Sequence, residues 1–156
     1  MHTLILGIGN PILSDDGVGI HVVKALKKEK LPENVKVKEA GLAGLSIIDM
    51  IIGYDQLILV DAIKANGEPG TIYELSVEDL PSLPFLHFSS THEADFLTAL
   101  EVGKKLFPEK MPKDITIFAI EVEDITTFSE ECTPKVKEAI PKIVEIIKTR
   151  ILRREK

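Results

Sequence analysis

Two nearly unbroken apolar runs, Thr3-Leu4-Ile5-Leu6-Gly7-Ile8 and Gln56-Leu57-Ile58-Leu59-Val60, limit most tightly what this chain can fold into. A strand with one face in water alternates apolar and polar residues. A run that is apolar on both faces belongs in the middle of a parallel sheet covered by helices above and below. The first run stops at Gly9-Asn10-Pro11, the signal of a tight loop, and the second terminates on Asp61.

The segments around these runs change period. From Asp15 onward, Val18, Ile20, Val22, Val23 and Leu26 trace one face of a helix that ends before Pro32. Val35 to Lys38 alternates like an edge strand, and Leu45 to Ile52 fits a short helix. Thr71 to Leu75 reads as a strand running antiparallel to its predecessor across the Gly67 to Gly70 turn. The stretch through Pro81 and Pro84 is the longest irregular segment, of the kind that often serves as a binding loop. Ser90 and Glu93 have capping-box spacing before a helix, and Asp114 to Val122 is a further strand. Thr133 and Pro134 open a last helix, with a bend expected at Pro141.

Strands alternating with helices specify an α/β fold. The expectation is a three-layer domain with about five strands, mostly parallel with one antiparallel, and helices on both faces. At 156 residues and 44% hydrophobic content, residues 1–156 suffice for one such domain and not comfortably for two. The basic residues Lys148, Arg150, Arg153, Arg154 and Lys156 read as cations at a helix C-terminus followed by a frayed tail over about 149–156.

Composition excludes several classes of function. A formal charge of -6 argues against nucleic acid, whose phosphates require a clustered positive field. No apolar run approaches the roughly 20 residues of a membrane span, and the N-terminus lacks a basic lead and cleavage pattern. A single cysteine, Cys132, permits neither an internal disulfide nor a thiolate cage, and it reads as a packing residue. A cytoplasmic protein is expected. Gly7-Ile8-Gly9 begins like a dinucleotide fingerprint, but Ile12 stands where the third glycine belongs. Ser89-Ser90-Thr91-His92 has no nucleophile-elbow pattern, which removes the serine hydrolase reading.

In open α/β sheets functional groups collect beyond the carboxyl ends of the strands. Asp16 lies one loop past the first strand, Asp61 closes another, and His92 sits at the approach to a helix. Two carboxylates and an imidazole form an O/O/N set acceptable to zinc, nickel and related divalent ions. Each residue also has a structural alternative: Asp15 and Asp16 complement a helix N-terminus, Asp61 caps a turn, and His92 is incidental.

The run from Leu6 to Gly19, Leu-Gly-Ile-Gly-Asn-Pro-Ile-Leu-Ser-Asp-Asp-Gly-Val-Gly, resembles the N-terminal motif of the nickel-iron hydrogenase maturation proteases. Leu57 to Ala62, Ser90-Thr91-His92 and Glu130 to Val136 follow in that family's order and spacing. The family's loop reading Asp-Gly-Gly-Thr is replaced here by Glu39-Ala40-Gly41-Leu42, and Cys132 stands at a usually aliphatic place. The resemblance implies an endopeptidase that removes the C-terminal extension of a hydrogenase large-subunit precursor after nickel insertion. It assigns Asp16, Asp61 and His92 to contact with nickel that the precursor presents, although another divalent ion could occupy the same ligands. Small members of that family can act as monomers and nothing in the sequence argues for an obligate oligomer, while the choice of partner hydrogenase is expected to reside in the irregular segment around Pro81 to Phe88 and in exposed helix faces. Two rivals are a nickel-sensing chaperone that does not cleave and a peptidyl-tRNA hydrolase; the latter would need a basic face and a histidine soon after Gly-Asn-Pro.

Overall fold

Continuous apolarity does place the first run at the centre of a sheet. In a computed structural model that describes residues 1–41, 47–82, 87–88, 93–154 and 156, the chain forms β1 (Thr3–Ile8), a 3-10 turn (Ser14–Gly17), α1 (Val18–Lys27), β2 (Val35–Ala40) and α2 (Ile47–Ile51). It continues with β3 (Gln56–Lys64), β4 (Ile72–Ser76), a second 3-10 turn (Val77–Ser82), β5 (His87–Phe88), α3 (Glu93–Leu106), β6 (Asp114–Glu121) and α4 (Pro134–Arg154).

The strand order is β2-β1-β3-β6-β4. The β1–β2, β1–β3 and β3–β6 pairs are parallel, and β4 adds antiparallel to β6. These five strands match the sequence expectation. A sixth, the two-residue β5, pairs antiparallel with the far end of β3 and was not foreseen. The direction expected for β4 also holds, but its neighbour is β6 and not the strand before it, since β6 occupies the edge of β3.

Residues of alternate parity on β3 divide the interior. Leu57, Leu59 and Ile63 join Leu4, Leu6, Ile8 and the inner faces of α2 and α3. Ile58, Val60 and Ala62 join Ile5, Phe118 and the apolar stripes of α1 and α4. Helices therefore cover both faces. A fully buried aliphatic side chain contributes roughly 1.5–3 kcal/mol relative to exposure, whereas a surface ion pair such as Lys27–Glu39 contributes about 0–1 kcal/mol. The two apolar layers, not the ion pairs, hold the fold.

The C-terminus departs from expectation. α4 runs through Arg154, so residues 149–154 are helical and not frayed. Ile147 and Ile151 extend the buried stripe by another turn, Arg150 pairs with Glu74 while its guanidinium lies 5.1 Å from the Phe118 ring centre, and Arg154 reaches Asp114. Thr133 does stand at the start of α4, where its carbonyl accepts the Lys137 N–H, and its hydroxyl is directed to Asp15. The helix beginning near Ser90 is observed from Glu93; Ser90 lies outside the described residues, as do Leu45 and Ser46 of the short helix. Among the described residues no helix is long and apolar enough to cross a membrane.

Candidate functional site

At the carboxyl edge of the sheet neighbouring strands end at different heights. β1 pairs with β3 only as far as Gly7↔Val60, while β3 continues beside β6 to Ile63↔Glu121. Asp61 is thus not the last residue of its strand, as its sequence suggested, but the first beyond the β1 ladder. Its register, between Leu59 and Ile63, sets it on the α3 face. Asp61 is 1% exposed, and Oδ1 accepts the Ala62 N–H at 2.8 Å.

Asp16 comes to this edge from the loop after β1. Gly9, at φ +153°, turns the chain so closely that an added Cβ would stand 2.2 Å from the Asp16 carbonyl oxygen, a place for glycine alone. At Gly19 an added Cβ would meet the carbonyl oxygens of Val60 at 2.4 Å and Ile8 at 2.5 Å, so the glycine lets α1 press against the end of β1 and the middle of β3. The 3-10 turn carrying Asp16 consequently packs on β3. Asp16 is 3% exposed, and Oδ2 accepts the Asn10 N–H at 3.1 Å. Two sequence-predicted acids are therefore brought from separate segments to one buried edge.

His92 lies outside the described residues. The described chain before it pairs Phe88 with Ile63, two residues beyond Asp61, and the described chain after it enters α3 at Glu93. Among the described residues no group of three His, Cys, Asp or Glu side chains has the arrangement of a metal cage.

Adjacent acids turn out to have different duties. Asp15 is fully buried: Oδ2 accepts the N–H groups of Glu123 and Asp124 at 2.9 and 3.0 Å, and Oδ1 accepts the Thr133 N–H at 2.7 Å. The Thr133 hydroxyl lies 3.0 and 2.8 Å from its two oxygens. Asp15 does not complement its own helix; it ties the first loop to the chain after β6 and to the start of α4. Glu121, which sequence reasoning passed over, does the same for the β3–β4 turn. It accepts the N–H groups of Ala65 and Gly67 and the Tyr73 hydroxyl, the last at 3.0 Å. Burial, and then this carboxylate, raise the pKa of Tyr73. The available signal was an acid inside the otherwise apolar run Ile117 to Val122.

Cys132 is a packing residue with its Sγ 3.9 Å from the Ser14 carbonyl oxygen. Desolvation, together with the negative Asp15, pushes its thiol from 9.0 up to about 12. The thiolate is the reactive form, so at pH 8 the folded protein should alkylate with iodoacetamide about a thousandfold more slowly than the chain in denaturant. Equal rates in the two states would refute this burial.

Known proteins share both this sequence and this architecture. A profile of the hydrogenase maturation protease family matches residues 20–150. The hydrogenase 2 maturation protease of Escherichia coli K12 is 34% identical over 130 residues, covering 80% of this chain and 76% of that protein. The hydrogenase expression/formation protein HupD of Rhizobium leguminosarum is 30% identical over 151 residues, covering 96% and 73%. The structure of the E. coli hydrogenase maturating endopeptidase HybD superposes with a TM-score of 0.82 at 30% identity, over 94% of this chain and 90% of that one. With profile, identity and fold in agreement around an edge that carries two buried acids, this chain belongs to the hydrogenase maturation protease family.

Proposed function

We propose that this protein cleaves the C-terminal extension from the large-subunit precursor of a nickel-iron hydrogenase once nickel has been inserted. Asp16, Asp61 and His92 then meet the nickel that the precursor carries. The observation that supports this most is the convergence of Asp16 and Asp61 at one edge of the sheet, in a chain of this family.

Two carboxylates in a site of low dielectric attract a cation strongly, and the His92 imidazole would supply the borderline nitrogen donor that nickel favours. Three ligands from one protein leave room for donors from another. The nickel is accordingly cargo of the substrate, and this chain recognises it. Cleavage adds water across one peptide bond, leaving a new carboxylate on the large subunit and a free amine on the released peptide. A cation beside the scissile carbonyl would favour that addition by stabilising the developing oxyanion.

The test compares nickel-loaded with metal-free precursor and follows the released C-terminal peptide by mass spectrometry. Release from the loaded form alone is expected. Release from both forms would overturn the nickel dependence, and release from neither would overturn the proteolytic reading. Tight binding without release would identify the protein as a chaperone.

A further inference from the structure

The loops that follow the parallel strands leave the sheet at one edge, the edge that holds Asp16 and Asp61. The chain after β6 is one of these loops, and from Asp114 to Pro134 it contains no lysine or arginine. Its acids Glu123, Glu130 and Glu131 are exposed and flank an aromatic side chain, Phe128, that is 82% exposed. Glu130 and Glu131 make no ion pair among the described residues, although Lys24 and Lys137 face the same groove from the helices behind them.

The backbone that displays Phe128 is fastened along its length. Asp15 accepts the N–H groups of Glu123 and Asp124 and donates its own N–H to the Asp124 carbonyl at 2.9 Å. Asp124 Oδ1 accepts the N–H groups of Thr126 and Thr127, each at 3.0 Å. The Thr127 hydroxyl, together with those N–H groups, holds the pKa of the Asp124 carboxyl down at about 2, so the loop carries a further fixed negative charge. Beyond Phe128, the Ser129 N–H reaches the Ile12 carbonyl at 3.0 Å. A ring on a fixed backbone loses little conformational entropy when a partner covers it.

Scattered exposed apolar residues are ordinary on a protein surface, and Met1, Leu106, Ile146 and Leu152 are of that kind here. Phe128 differs in its neighbour and its place. The parallel bridge Leu13↔Ser129 joins its segment to that of Ile12, itself 48% exposed, in the loop that carries Asp16. The Asp16 N–H bonds the Leu13 carbonyl at 3.1 Å, so Leu13 and Asp16 close a single turn. Chain geometry then keeps the Phe128 Cα within about 16 Å of the Asp16 Cα. A partner interface of ordinary size covers roughly 800 Å² on each side, a disc of about 16 Å radius. A precursor docked over Asp16 therefore reaches Phe128 as well.

We propose that Phe128, supported by Ile12, is the apolar anchor by which this protein grips the body of the large-subunit precursor, and that it enters an apolar pocket bordered there by basic side chains. The inference rests on the proteolytic reading, in which the precursor docks over Asp16, and adds the contact that holds it. Aromatic anchors at the centre of an interface carry much of its affinity, and the acids around this one steer a basic surface onto it.

A photo-crosslinker at position 128 and the nickel-loaded precursor provide the direct probe: the crosslink should map to the large-subunit body that remains after cleavage. In processing assays Phe128→Ser should raise KM about tenfold with kcat within twofold. Glu130→Lys/Glu131→Lys should raise KM similarly at low salt, and should diminish the rise in KM that added salt causes with the wild-type protein. All three residues are exposed, so thermal melts of these variants should match the wild type. Wild-type KM in both variants would overturn the docking surface and leave the protease intact. A loss confined to Phe128→Ser would overturn the basic border. Precursor binding weakened by Phe128→Ser, where even the wild-type protein releases no peptide, would support the docking surface and overturn the protease. A crosslink to the released peptide, or to a second copy of this chain, would overturn the proposal.

Discussion

Asp61→Asn is expected to slow release of the C-terminal peptide by roughly 10²–10³-fold while the protein stays folded, and Asp16→Asn to do the same. Asparagine keeps the shape of aspartate and retains an acceptor oxygen. The Ala62 N–H bond to Asp61 Oδ1 and the Asn10 N–H bond to Asp16 Oδ2 can both persist. What disappears is a negative charge in a buried place, where its attraction for a cation is least screened. His92→Ala, which removes the proposed nitrogen donor, should have a comparable effect. Ligands of one metal act as a unit, so the Asp16→Asn/Asp61→Asn double variant should lose little more than either single variant. Peptide release would be followed alongside thermal melting of each variant. Processing that survives both Asp16→Asn and His92→Ala would refute the site assignment, whereas lost processing with a collapsed melt would leave Asp61→Asn to decide it.

The difference between a central and an edge strand was legible in the sequence, and so was the carboxyl edge. β1, β3 and β6 are apolar on both faces because helices cover both faces, and the residues themselves record that burial. The pairing of β4 was not legible. It depends on β6, which lies about forty residues further along the chain, and local pattern carries no information about such a partner. β5 is too short, at two residues, to show any period. Asp61 could be recognised as an acid ending an apolar run, yet its true position depends on how far β1 extends beside it. The length of one strand sets the environment of a residue on another.

The same dependence separates Asp15 from Asp16. Neighbours in sequence with identical side chains cannot be told apart by type or by helix-dipole arguments, and only the placement of Glu123, Asp124 and Thr133 decides which buried acid ties the first loop to the chain after β6 and to α4. Gly9 was legible only as part of a tight loop, and the close approaches at Gly9 and Gly19 required knowing that the Asp16 and Val60 carbonyls lie against them.

Asp15→Ala should therefore be the most destabilising change in the first loop, by roughly 4 kcal/mol. Three backbone N–H groups and the Thr133 hydroxyl lose their acceptor at once, and each buried donor left unpaired costs about 1–3 kcal/mol, with partial relief from water entering the space. For a chain of 156 residues this corresponds to a fall in Tm of roughly 10 °C. The two neighbours thus have different signatures: Asp15→Ala weakens the fold, and whatever activity remains below its melting point retains the proposed nickel requirement, whereas Asp16→Ala removes activity at temperatures where the variant is still folded. Urea denaturation with parallel processing assays measures both. If Asp15→Ala melted like the wild type, the clamp joining the first loop, the chain after β6 and α4 would not be what holds the Asp16 loop against β3. If it melted early, the rigidity of the site would be traced to a carboxylate that never touches the substrate.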